Sequence, residues 1–75
     1  MSRMPRVTAR RMLAALQRAG FVVIRSKGSH RFLQHRTDAT RRTVIAVHSG
    51  DVPEGTVRDI LKQAKLSVEE FVALL

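Results

Sequence analysis

Between residues 9 and 19 the apolar positions recur at helical spacing. Ala9, Met12, Leu13, Leu16 and Ala19 gather on one face and Arg10, Arg11, Ala14, Gln17 and Arg18 on the other. Thr8 is suited to cap this helix and Gly20 to end it, while Pro5 discourages an earlier start, so residues 1–7 read as a short arm. The period then shortens. Phe21 to Ser26 and Ser29 to His35 are rich in β-branched, aromatic and apolar residues, and the Lys27-Gly28 pair between them reads as a two-residue hairpin turn. Arg36 to Arg42 is a basic loop and Thr43 to His48 a third strand. After breakers at Gly50, Pro53 and Gly55, Thr56 stands where it could cap a second helix. In that helix Val57, Ile60, Leu61 and Ala64 follow the i, i+3, i+4, i+7 pattern. Ser67-x-x-Glu70 forms a capping box, with Leu66 and Phe71 placed as its hydrophobic staple, so 68–75 should be a short last helix.

This order predicts one domain over residues 1–75 in the α+β class: α-β-β-β-α, with an antiparallel three-stranded sheet covered by the two main helices and a short C-terminal helix. Both faces of the strands carry apolar residues, so alternation does not say which face the helices cover, and all three phenylalanines are assigned to the core. A domain of 75 residues buries only about 60% of the surface its unfolded chain exposes, so any active site should be shallow and a deep cofactor cleft is disfavoured. The chain has no cysteine, which excludes disulfides and thiolate zinc sites. No apolar run approaches the roughly 18 residues of a membrane span, and Met1 to Arg6 has no signal-peptide core, so a cytoplasmic protein without membrane contact is expected.

Charge sharpens the picture. The net charge is +8, yet residues 1–50 hold eleven Lys and Arg against Asp38 alone, while residues 51–75 hold three against five acids. Such asymmetry favours a polyanionic partner, because each cation that neutralises a phosphate releases condensed counterions. With a sequence pI near 11.8, nucleic acid is the favoured partner over ordinary solvated charge.

The candidate chemistry centres on Gly28-Ser29-His30. An imidazole can take and give a proton near neutral pH, and here it follows a glycine that lets the chain reverse. The plain alternative is a hairpin turn with a polar first residue. A Lys27-Gly28 turn would set Arg25 opposite His30, about 5 Å away on the same face, where both could touch one phosphate. A third strand folding back on the second would bring His48 toward His30, in a register that a one-residue slip would undo. Metal binding is a weak signal, since His30 and His35 have opposite strand parity and cannot chelate one ion together. Adjacent Ser29 and His30 also face opposite ways, which disfavours a serine hydrolase. With no Trp or Tyr, the composition argues against a stacking platform for single strands and for contact through backbone and shape. RNA cleavage needs few parts, because the ribose 2′-hydroxyl is the nucleophile. A proton-transferring histidine with cations around the phosphorus suffices.

At this point a resemblance enters. Gly20-Phe21, Arg25-x-x-Gly28-Ser29-His30, Val47-His48, Gly55-Thr56-Val57-Arg58-x-Ile60-Leu61-x-Gln63-Ala64 and Leu66-Ser67 together resemble the HicA toxin family over nearly the whole chain. The resemblance implies a double-stranded-RNA-binding-domain-like fold and an mRNA interferase, an endoribonuclease toxin that needs no cofactor and is blocked by a HicB antitoxin. It makes His30 the catalytic residue, with Arg25, Lys27, Gly28, Ser29, Arg31 and His48 as candidate RNA or phosphate contacts. The chain departs from the family at Arg31, where an aromatic or His is common, at Ala46, where a proline is, and at Lys65, which replaces a glycine. Two other classes stay open: a noncatalytic double-stranded-RNA-binding module and a small DNA-binding protein.

Overall fold

The structure is a computed structural model that describes residues 4–75. Its elements are α1 (Ala9–Arg18), β1 (Phe21–Lys27), β2 (His30–His35), β3 (Arg42–Ala46), α2 (Glu54–Ala64) and α3 (Val68–Leu74). The strands form one antiparallel sheet in the order β1-β2-β3, so the α-β-β-β-α order and the α+β class hold.

One sheet face meets the helices. Phe21, Leu33 and Ile45 are buried from it against Met12 and Leu16 of α1 and Val57, Ile60 and Leu61 of α2, and Phe71 of α3 completes the cluster. Thr43, the buried polar residue of β3, donates its hydroxyl proton to Gln63 Oε1 at 2.7 Å, which removes the cost of its burial. The opposite face carries Val22, Phe32 and Val44, none of which joins the core. Phe32 is therefore not a core phenylalanine, contrary to expectation, whereas Phe21 and Phe71 are.

The caps largely follow the sequence. Thr8 accepts a hydrogen bond from the Arg11 N–H, and the Ser67–Glu70 capping box is complete, with Leu66 and Phe71 both buried beside it. Helix α2 differs. It starts at Glu54 after Pro53 (φ −56°, ψ 143°), not behind a Thr56 cap. Glu54 in the first turn suits the helix dipole and pairs with Arg58 one turn on at 3.2 Å, so the helix extends past Gly55. Nor is the arm all free, because Val7 lies in the core. The Val52 N–H donates to the Val7 carbonyl at 2.8 Å and Thr8 bridges Asp51, which stitches this segment to the loop after β3. Residues 1–3 of the expected arm lie outside the described residues.

At the far end of the sheet, Arg41 donates from Nε to the Ala64 carbonyl at 2.8 Å and lays its guanidinium 5.3 Å from the Phe21 ring centroid. A cation at the carbonyl end of α2 is favoured by the helix dipole. Lys65 follows in the left-handed region (φ 56°), the conformation for which a glycine is the usual choice, and its Nζ donates to Thr40 Oγ1 at 2.8 Å. Among the described residues no helix is long and apolar enough to cross a membrane.

Candidate active site and nucleic-acid face

The hairpin that carries His30 closes at Gly28-Ser29, one residue later than the sequence suggests, so Lys27 pairs with His30. Gly28 has φ +56°, while Ser29 stays on the ordinary side of the map. A glycine first in a two-residue loop is the pattern of a type II′ turn, whose twist matches the strands it joins. A Cβ on Gly28 would meet nothing within 4 Å, so the backbone angle alone calls for glycine there.

This shift corrects the expected Arg25–His30 pair. Arg25 pairs instead with Phe32, its guanidinium 5.7 Å from the ring centroid. The register moved by two places, so Arg25 keeps the face expected of it and becomes a diagonal neighbour of His30. A β-bulge between Val23 and Arg25 then leaves Ile24 unpaired and returns Phe21 to His35.

His30 is exposed at the first position of β2, between Lys27 on one side and Ala46 on the other. It borders two concavities. One, of about 430 Å³, runs along β3 and is rimmed by Ala46, His48, Asp51 and Thr56. The other, wide open and about 690 Å³, is lined by Lys27, Gly28, Ser29, His30 and Phe32, with no acid among them. His48 lies two residues beyond the last residue of β3. The Val47 N–H donates to the Ser29 carbonyl at 2.8 Å and the His48 N–H to the Ala46 carbonyl at 3.1 Å, which turns the chain beside the hairpin tip. The two imidazoles thus line one cleft, but β3 ends at Ala46, so His48 reaches it from the loop and not from a third strand running to His48.

Arg31 is placed otherwise. It faces away from His30, pairing with Ser26 and Ile45, and its Nη1 donates to the Gly28 carbonyl at 2.7 Å and the His30 carbonyl at 3.3 Å. Its charge clamps the turn from behind. His35 is structural. Its Nδ1 accepts from the Thr37 N–H at 3.2 Å, so Nε2 carries the proton and donates to the Ala19 carbonyl at 3.1 Å, and the ring meets Phe21 edge-on. Among the described residues no three His, Cys, Asp or Glu gather to hold a metal ion.

Reasoning from the sequence missed Phe32, Asp51 and Thr56 at this site. Strand parity could have found Phe32, since it is two residues from His30 and must share its face. Nothing in the sequence signals Asp51, because the loop from 47 to 53 has no period to read, and Thr56, which reads there as a helix cap, reaches the cleft from the first turn of α2 instead.

The fold and site define a small basic α+β domain that lifts one histidine out of a glycine turn to the border of two concavities, the more open of them without an acid. The profile of a family described as "HicA toxin of bacterial toxin-antitoxin" matches residues 9–66, from the start of α1 to just past α2. The chain belongs to the HicA toxin family of toxin–antitoxin modules. No curated protein matches it.

Proposed function

We propose that this chain is the toxin of a type II toxin–antitoxin pair and acts as an endoribonuclease on mRNA, with His30 as its proton-transfer residue. The observation that carries the reading is the position of His30: exposed, next to Lys27, and on the edge of both concavities. In the reaction the 2′-oxygen bonds to phosphorus and the bond to the 5′-oxygen breaks, which leaves a 2′,3′-cyclic phosphate and a 5′-hydroxyl. One proton leaves the 2′-oxygen and one arrives at the 5′-oxygen. His30 serves one of these transfers, and water reaching the open site completes the other. Because the substrate brings its own nucleophile, this chemistry requires neither metal nor cofactor.

Lys27 and Arg25 hold the phosphate and offset the charge that grows on it, while the Gly28 and Ser29 backbone lets the strand approach closely. Arg31 acts from behind by fixing the turn, and His48 lines the far side of the cleft. The partner that restrains the toxin is a HicB-like antitoxin covering the His30 surface.

Replacement of His30 with alanine tests the proposal. Its side chain is exposed, so folding should change by no more than about 0.5 kcal/mol, and RNA binding should persist because the arginines remain. Cleavage of a defined RNA should fall by about 10² to 10⁴-fold. A variant that folds, binds and still cuts at the wild-type rate would end the catalytic claim.

A further inference from the structure

The open face of the sheet is unusual for its mixture of groups. Phe32 sits at its centre, half-buried and outside the core, with Val44 across one strand and Arg25 across the other. Val22 and Ile24 on β1 keep 47% and 54% of their surface exposed. Lys27 at the tip and Arg42 on β3 are exposed cations at its two ends. This is an aromatic surface ringed by positive charge, with one ring face already in contact with a guanidinium.

Its position relative to the histidine decides what could occupy it. Phe32 and His30 are two residues apart on one strand, so they point to the same side and stand about 6.6 Å apart along it. They also line the same open concavity. A phosphate held between His30 and Lys27 would therefore leave its neighbouring base beside the Phe32 ring. A paired base inside a duplex keeps its flat face covered by its neighbours, whereas an unpaired base can offer that face to an aromatic ring.

We propose that the sheet face around Phe32 is a stacking platform for single-stranded RNA. It seats the nucleotide next to the scissile phosphate, with Arg25 both supporting the ring and meeting the backbone. The placement of the cut rests on the reading of His30 as the proton-transfer residue; the platform does not. The substrate class it selects is unpaired message, not double-stranded RNA read by shape.

The test uses the full chain and a 12-nucleotide 2′-O-methyl RNA, which has no free nucleophile and stays intact whichever residue catalyses. The same strand annealed to its complement is the duplex control. Phe32→Leu should weaken single-strand binding by roughly 5- to 150-fold, the range of one lost stacking contact, and duplex binding by less than about twofold. Phe32→Trp should keep the affinity. It also introduces the sole tryptophan of the chain, whose emission single-stranded RNA should quench and heparin, a polyanion without bases, should not. Equal losses on both RNAs, no loss on either, or a tryptophan that ignores bound RNA would overturn the platform. Should Phe32→Leu fail to fold, the tryptophan readout decides alone. Cleavage by His30→Ala is scored in parallel on unmodified RNA. If that variant still cuts while Phe32→Leu fails to bind, the catalytic reading falls and the platform stands.

Discussion

Gly20→Ala is the substitution whose cost the structure resolves most sharply, because two separate effects meet at one Cβ. Gly20 sits at φ +102°, and an added Cβ would come to 2.9 Å from His35 Nε2, the atom that holds the Ala19 carbonyl. Left-handed backbone costs an L-residue roughly 1–2 kcal/mol. Displacing His35 from its hydrogen bond adds about 0.5–1.5 kcal/mol, and the stiffer unfolded chain returns about 0.4–1 kcal/mol. The net is a loss of roughly 2 kcal/mol, which in a domain of this size lowers the melting temperature by about 8–16 °C. Gly28→Ala is the control, since it meets no atom within 4 Å and carries the backbone cost alone. Urea and thermal melts followed by circular dichroism should rank Gly20→Ala clearly below Gly28→Ala. Placed in a His35→Ala background, the same glycine change should lose its steric share and fall to the level of the control. If its cost is undiminished there, the His35 contact has no part in holding this corner.

Two further outcomes follow from the charges. The Ser67 backbone N–H, and then its hydroxyl, hold the Glu70 carboxyl below its ordinary value, so the ionised form stabilises the fold above the ordinary carboxyl range and that contribution is lost as pH falls through the lowered value. Glu70→Gln should therefore melt below wild type at neutral pH and converge on it once pH falls below the lowered value; a gap of the same size at neutral and at strongly acid pH would refute the assignment. Neutralising Arg25 and Lys27 together should slow RNA cleavage more than neutralising Arg58 and Lys62 on α2, and should flatten the log-log dependence of RNA affinity on salt. Equal losses from the two pairs would mean that the site lies elsewhere.

Much of the architecture is legible in the residues because each element states its own period. The Thr8 cap and the Ser67 capping box are local patterns that survive folding unchanged, and the face of α1 shifts only slightly, burying Ala15 while Leu13 and Ala19 stay half-buried. Register is different in kind. Lys27-Gly28 and Gly28-Ser29 are both two-residue loops with a permitted glycine, and the choice between them depends on strand twist over several residues, as does the bulge at Ile24. Phe32 shows the same limit. With Phe32 and Leu33 both apolar, alternation gives two faces of equal hydrophobicity, and only the packing of α1 and α2 decides that Leu33 is the one covered. His30 could be singled out as the residue behind a glycine turn, and Lys27, Gly28, Ser29 and His48 with it, but Asp51 and Thr56 could not, since they arrive from the loop after β3 and from α2.

The stitch between Val7 and Val52 has a consequence for how such a site can drift over generations. The loop that carries His48 is held to the segment before α1 by main-chain groups, and those are the same whichever side chains stand at 7, 8, 51 and 52. Apart from a proline at 52, which would remove the donor, and changes at Val7 in the core or Thr8 at the cap of α1, substitution can recolour the rim of the cleft while its outline stays put. A lineage under pressure to evade one partner and fit another can thus rewrite the wall facing His30 residue by residue, without first having to rebuild the frame that aims it.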